Sequence, residues 1–242
     1  MTIECRHIEV SGIPVEVRRK AIKNLHIGVY PPNGAVRVSA PVHLDDESVR
    51  LAIVSRLSWI YRQQRSFARQ KRESTREMVT GESHYYSGTR YRLDVVERPG
   101  HPGVRVVDKG TLQLRVRPGA DRLAREKVLE RWYRQQLKTH IPGLISLWAP
   151  VMGVEVNECR IKRMRTLWGS CNIQAKRIWL NLELAKKPLR CLEYVLVHEM
   201  VHLLERRHNA RFRGFMDQYL PDWRLRRDEL NDMPLADEGL AD

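Results

Sequence analysis

The sequence predicts an α+β protein: a β-rich N-terminal region carrying one long basic helix, followed by a more helical region. Three observations predict it. Residues 3–40 alternate apolar and polar side chains in short runs, residues 47–77 carry apolar side chains at helical spacing, and a third stretch, 188–207, is apolar nearly all round a helix.

In order along the chain, "IECRHIEV", "IPVEVRRK" and "NLHIGVYP" read as strands, and "PPNG" marks the turn before "AVRVSAP". Asp45 or Asp46 caps the next element, a single helix from Glu47 to about Glu77 with Val49, Ile53, Leu57 and Ile60 on its apolar side. Three strands separated by Gly and Pro signals fill residues 80–121. "PGAD" (118–121) is the boundary the sequence offers, giving a β-rich region 1–118, a second region 119–232 and an acidic tail 233–242. A helix follows from Arg122 to about Thr139, with Leu123, Val128, Leu129, Trp132 and Leu137 inward. "TLWGSCNIQ" and "RIWLNLEL" form an antiparallel hairpin, and Pro188 suits the first turn of a helix running to about Arg207. No internal repeat is read.

The chain has 242 residues, room for one large domain or two modest ones. No stretch reaches the roughly 18 apolar residues of a membrane-spanning helix, so no membrane is expected. The opening residues lack a secretory apolar core, and a cytoplasmic location is the expectation. Four cysteines (Cys5, Cys159, Cys171, Cys191) at long, uneven spacings argue against both a disulfide framework and a cysteine zinc site. Net charge is +14, with Lys and Arg clustered at 56–76, 122–138 and 160–165. Such clusters are ordinarily solvated helix faces, but the excess also fits a polyanion such as nucleic acid.

The chemistry concentrates in "YVLVHEMVHLLERRHNARF", residues 194–212. Residues four apart share a helical face, so His198 and His202 project side by side and can grip one Zn²⁺. Glu199, one residue on, is placed to contact water on that ion, the arrangement of H-E-x-x-H. Titratable groups on a buried helix are costly unless paired or metal-bound. Ordinary core histidines with a surface glutamate are the bland alternative.

A catalytic zinc needs a third protein ligand and an open position. His208, ten residues after His198, leads; Glu205 on the same helical face is its rival, and Asp217 or Asp222 lies downstream. Metzincins reach the ten-residue spacing with a glycine at the seventh position. Glu205 stands there, so this is not a metzincin. Trp168 and Trp179 read as core, and nothing supplies Cys171 with a base. Tyr194 and the Tyr85–Tyr86 pair are candidate oxyanion donors, while His7, His26, His43, His84, His101 and His140 stand singly.

The pieces "WIYRQQRSF", "GESHYYSGTRYRL", "IKRMRTLWGSC", "IWLNLELAKKPLRCLEYVLVHEMVHLLERRHNARF" and "PDWR" together resemble the YgjP-like metallopeptidases of the zincin superfamily. The resemblance spans about residues 10–230 and implies a zincin-like metalloprotease domain after the β-rich region. It also implies His198, His202 and His208 as Zn²⁺ ligands, Glu199 as catalytic base, and a protein or peptide substrate. One departure stands out: the family usually has Arg before Trp-Gly-Ser-Cys, where this chain has Leu167, with Arg165 nearby. The family also looks related to the SprT-like proteases, which act on DNA-bound proteins, an analogy that does not fix a substrate. In zincins a strand beside the active-site helix receives an extended peptide, and "LWGSC" or "RIWLN" fits that place.

The leading expectation is a zinc metallopeptidase in which Glu199 moves the proton of zinc-activated water. Two alternatives stand beside it: a DNA-associated protease docking through its basic helix, and a non-enzymatic module whose metal has four protein ligands. The same zinc chemistry also serves other amides.

Overall fold

The structure, a computed structural model, describes residues 5–30, 34–69, 72–73, 76–164, 167–232 and 235–236. It is a mixed α and β molecule that divides into two compact units, Met1–Arg72 and Glu73–Ala236.

The first unit begins with β1 (Cys5–Val10), β2 (Ile13–Lys20), β3 (His26–Tyr30) and β4 (Ala35–Pro41). They form a sheet in the order β1-β2-β4-β3. β1/β2 and β3/β4 are antiparallel, and β2/β4 is parallel. Alternation puts Ile13, Val15 and Val17 on one face, where they pack with Val36 and Val38. α1 (Asp46–Val54) and α2 (Leu57–Arg69) cover that face through Val49, Ile53 and Ile60. Asp45 is the cap, its carboxylate accepting from the Ser48 amide at 2.8 Å.

The single helix expected over 47–77 is therefore two. The break falls at Ser55, whose hydroxyl donates to the Ala52 carbonyl at 2.8 Å, a local bond that competes with continued helix. Past Arg69, residues 70–71 and 74–75 lie outside the described residues, as do 233–234 and 237–242 of the expected tail.

β5 (Arg72–Glu73) straddles the boundary, and β13 (Leu235–Ala236) closes the second unit in sequence. Between them the second unit opens with four strands where three were expected: β6 (Ser83–Tyr86), β7 (Thr89–Glu97), β8 (Gly103–Val106) and β9 (Thr111–Val116). They are ordered β6-β7-β9-β8. α3 (Arg122–Met152) follows, capped by Asp121 through the Ala124 amide at 2.7 Å. It runs past the expected end at Thr139 and through Pro142 and Pro150. Burial of Ile141 and Met152 outweighs the two lost backbone bonds, and Gly153, at φ 62°, ends the helix.

The expected boundary at 118/119 separates residues that share one core. Leu93, Leu112 and Leu114 of the strands pack in the same cluster as Leu129, Tyr133 and Leu137 of α3. The compact units divide at 72/73 instead.

The two units repeat one design, which the sequence reading does not see. In each, an antiparallel hairpin, a parallel neighbour and an antiparallel last strand give the same order. Each hairpin turns on Ser-Gly at positive φ: Ser11 51° and Gly12 76°, Ser87 49° and Gly88 79°. Each sheet leads to an Asp-capped helix, and each carries "YRQQ" in the helical run that follows. In each the tyrosine of that motif donates to a carbonyl of the first hairpin, Tyr61 to Ser11 at 3.2 Å and Tyr133 to Tyr85 at 2.7 Å. Apart from Ser-Gly and YRQQ the shared sequence is mainly alternation, and the break in the first helix shifts the spacing between those two motifs, so the common design is plain only in three dimensions.

The second unit then adds β10 (Glu158–Lys162), β11 (Gly169–Asn172) and β12 (Arg177–Asn181) in the order β10-β12-β11, with β11 at an edge. β11/β12 is the expected antiparallel hairpin. A 3₁₀ turn (Leu182–Lys186) leads through Pro188 into α4 (Leu189–Val201), followed by α5 (Ala210–Tyr219) and α6 (Trp223–Asp232). Among the described residues, no helix is long and apolar enough to cross a membrane.

Candidate metal centre

α4 is short of its expected end, stopping at Val201, and this shapes the site. Leu196, Val197, Met200 and Val201 are fully buried and anchor it, while His198 and His202 emerge four residues apart, rings 5.2 Å apart. The chain then turns through 203–207 and re-enters helix at α5. Asn209 caps α5, its side chain accepting from the Phe212 amide at 3.0 Å. That cap puts His208 at the mouth of α5, aimed back at α4.

The ligand atoms of His198, His202 and His208 all lie within 4.8 Å of one another. Nε2 of His208 and Nε2 of His198 converge to 2.9 Å. Nδ1 of His202 sits 3.2 Å from the Glu205 carbonyl oxygen. A carbonyl oxygen can only accept, so Nδ1 carries the proton and Nε2 keeps its lone pair. Phe212 backs all three imidazoles, with ring centroids 4.9, 4.8 and 4.6 Å from His198, His202 and His208.

Burial sets the electrostatics. His198 is pushed down to about 3, first by loss of solvent and then by its neighbours His202 and His208. His202 is lowered mainly by burial, with the Glu205 carbonyl opposing. Both therefore stay neutral, the form that binds metal. Glu199 is buried and pushed up to about 8 by desolvation.

The rivals for the third position are engaged elsewhere. The Glu205 carboxylate accepts from the Arg207 amide at 3.0 Å. Asp217 accepts from Trp223 Nε1 at 2.8 Å and pairs with Arg224, and Asp222 pairs with Arg226 at 2.8 Å. Cys171 is pushed up to about 11 by burial and by Glu199, so its thiol stays protonated and is a poor nucleophile. Tyr194 lies edge-on to His198 at 5.9 Å and stacks on Trp223 at 6.5 Å.

Two supporting residues escape sequence reasoning. Asn181 is buried and ties down the segment before β11: its amide donates to the Met164 and Leu167 carbonyls, both at 2.8 Å. Gly169, the first residue of β11, lies directly against Glu199. A buried polar residue ending a strand was the available signal for Asn181; Gly169 gave none beyond its residue type.

Three imidazoles converging on one point, two of them held neutral and one with its outer nitrogen engaged, form a donor set suited to a borderline-soft divalent ion. Residues 23–233 match the YgjP-like metallopeptidase domain family. The chain belongs to that family. A YgjP-like metallopeptidase domain implies a metal cofactor and hydrolysis of peptide bonds in a protein or peptide substrate. A solved structure, the metallopeptidase zymogen abylysin of Pyrococcus abyssi, is 17% identical with a TM-score of 0.35, covering 37% of this chain and 90% of that one. Among curated proteins, none matches the chain significantly.

Proposed function

We propose that this metallopeptidase is zinc-dependent, with His198, His202 and His208 holding the ion and Glu199 as general base. The observation that carries the reading is the three-histidine cluster with a buried carboxylate one residue from the first of them. When bound, zinc supplies a Lewis acid and an acidified water. Three ligands leave a position open, as catalysis needs and a closed structural site does not.

The rest is work of the chain itself. Glu199 accepts a proton from the attacking water and passes it to the leaving amine. Glu205, through its backbone, holds the His202 ring in one tautomer. β11, which among the described residues lies at the edge of its sheet, offers its free edge to an extended substrate. Glu199→Gln keeps the size of the side chain but not its basicity, so zinc content and the fold are kept while hydrolysis of fluorescently labelled casein disappears. Retained turnover sinks the mechanism.

A second reading, a nucleic-acid partner, is favoured by Arg50, Arg56, Arg62 and Arg65 on α1, α2 and their junction. All four are exposed, and none has a carboxylate within salt-bridge distance among the described residues. It predicts duplex binding that weakens steeply with salt; no binding at low salt removes it. For the location, the proposal is the cytoplasm.

A further inference from the structure

We propose that Gly169 is a positioning residue for Glu199: the missing side chain on β11 is what lets the carboxylate lie where it does. This rests on Glu199 being the general base. The geometry is specific. A Cβ at Gly169 would stand 2.6 Å from Glu199 Oε1, 2.7 Å from Cγ and 2.9 Å from Cδ. Three atoms along one side chain are too close at once, so rotation about the last bond alone relieves only one of the contacts.

Backbone conformation does not explain the glycine. Gly169 is not among the glycines at positive φ, and it sits in regular antiparallel register opposite Leu180. An alanine is therefore compatible with the strand itself. Nor can the strand and helix separate cheaply. α4 is fixed by Leu196, Val197 and Met200, all fully buried, and β11 is fixed to β12, whose Ile178 and Leu180 are equally buried. Between two rigid elements the flexible member is the Glu199 side chain, and it must move. Cys171 lies two residues along the same face of β11 as Gly169.

Gly169→Ala should keep one zinc per chain yet lower kcat by about 100-fold with KM nearly unchanged, the scale expected for a misplacement of order 1 Å. A stability cycle reads the contact without activity. Gly169→Ala lowers the melting temperature when Glu199 is present and lowers it much less in a Glu199→Ala background, because the clash is gone. If Gly169→Ala alone fails to fold, recovery of folding in the double variant supports the contact, and failure of both variants overturns it. An equal drop in both backgrounds, or unchanged kcat in Gly169→Ala, also overturns it. The two ideas separate cleanly: retained turnover in Glu199→Gln strikes the general-base reading, whereas loss in Glu199→Gln with full kcat in Gly169→Ala strikes only the role of Gly169.

Discussion

The carbonyl oxygen of Glu205 lies 3.2 Å from Nδ1 of His202. The residue that rivals His208 in the sequence thus holds the His202 ring through its backbone, and its carboxylate turns away to the Arg207 amide. Side-chain changes at 205 should therefore spare the metal. Glu205→Ala is expected to bind zinc within about 3-fold of the parent, whereas His208→Ala should lose more than the roughly 10–100-fold that outer partners typically cost. Competition against a chromophoric chelator measures both. Weaker binding in Glu205→Ala than in His208→Ala would reverse the assignment.

The metal-free protein should show a pH dependence that names Glu199. Its folded-state value is raised from 4.5 to about 8, so it contributes stability that is fully present below 4.5 and is lost as the pH rises through 8. His198 runs the other way: lowered from 6.5 to about 3, its contribution is complete above 6.5 and lost as the pH falls toward 3. Above about pH 6.5 only the Glu199 effect is left of the two. The chelated protein should melt lower at about pH 8.5 than at about pH 6.5, and Glu199→Gln should flatten that slope. Zinc at 100 times its Kd should restore about 2.7 kcal/mol to the parent.

What the sequence made legible here was local. The spacing of His198 and His202 on a helix, the cap at Asp45, and the β11/β12 hairpin all follow from side chains a few residues apart. His208 was legible as a candidate from its place ten residues after His198, and the structure turns the chain there, with Asn209 capping the next helix. What stayed hidden depends on partners distant in the chain. Gly169 meets Glu199 thirty residues away, and Phe212, four residues past His208, reaches back across the turn to His202 and His198. The repeat of the two units was hidden because alternation tolerates almost any apolar residue. α3 ran through two prolines because tertiary burial outweighed a local rule.

Asn181 should matter out of proportion to its distance from the histidines. Its side-chain amide donates to the Met164 and Leu167 carbonyls and its oxygen accepts from the Glu183 amide at 3.2 Å, so one buried residue holds the approach to Trp168 and Gly169. Asn181→Ala leaves those groups without partners and should cost about 1–3 kcal/mol by urea unfolding. Asn181→Asp keeps the shape but replaces two donated bonds with a carboxylate facing carbonyls, and should be at least as costly. If Asn181→Asp is neutral, the latch does not work through donation.

Asp217 tests a rival ligand and a packing link together. It accepts from Trp223 Nε1 at 2.8 Å, and Trp223 stacks on Tyr194, which meets His198 edge-on. If Asp217 served metal, both Asp217→Ala and Asp217→Asn would weaken zinc binding. If it serves Trp223, Asp217→Ala strands a largely buried indole N–H at about 1–3 kcal/mol, while Asp217→Asn, which can still accept, should lose less. The structure predicts the second pattern: zinc affinity equal in both variants, stability reduced chiefly in alanine, read by chelator competition and urea unfolding. Loss of zinc in Asp217→Asn would instead return this carboxylate to the ligand set, since that substitution leaves an acceptor for the indole.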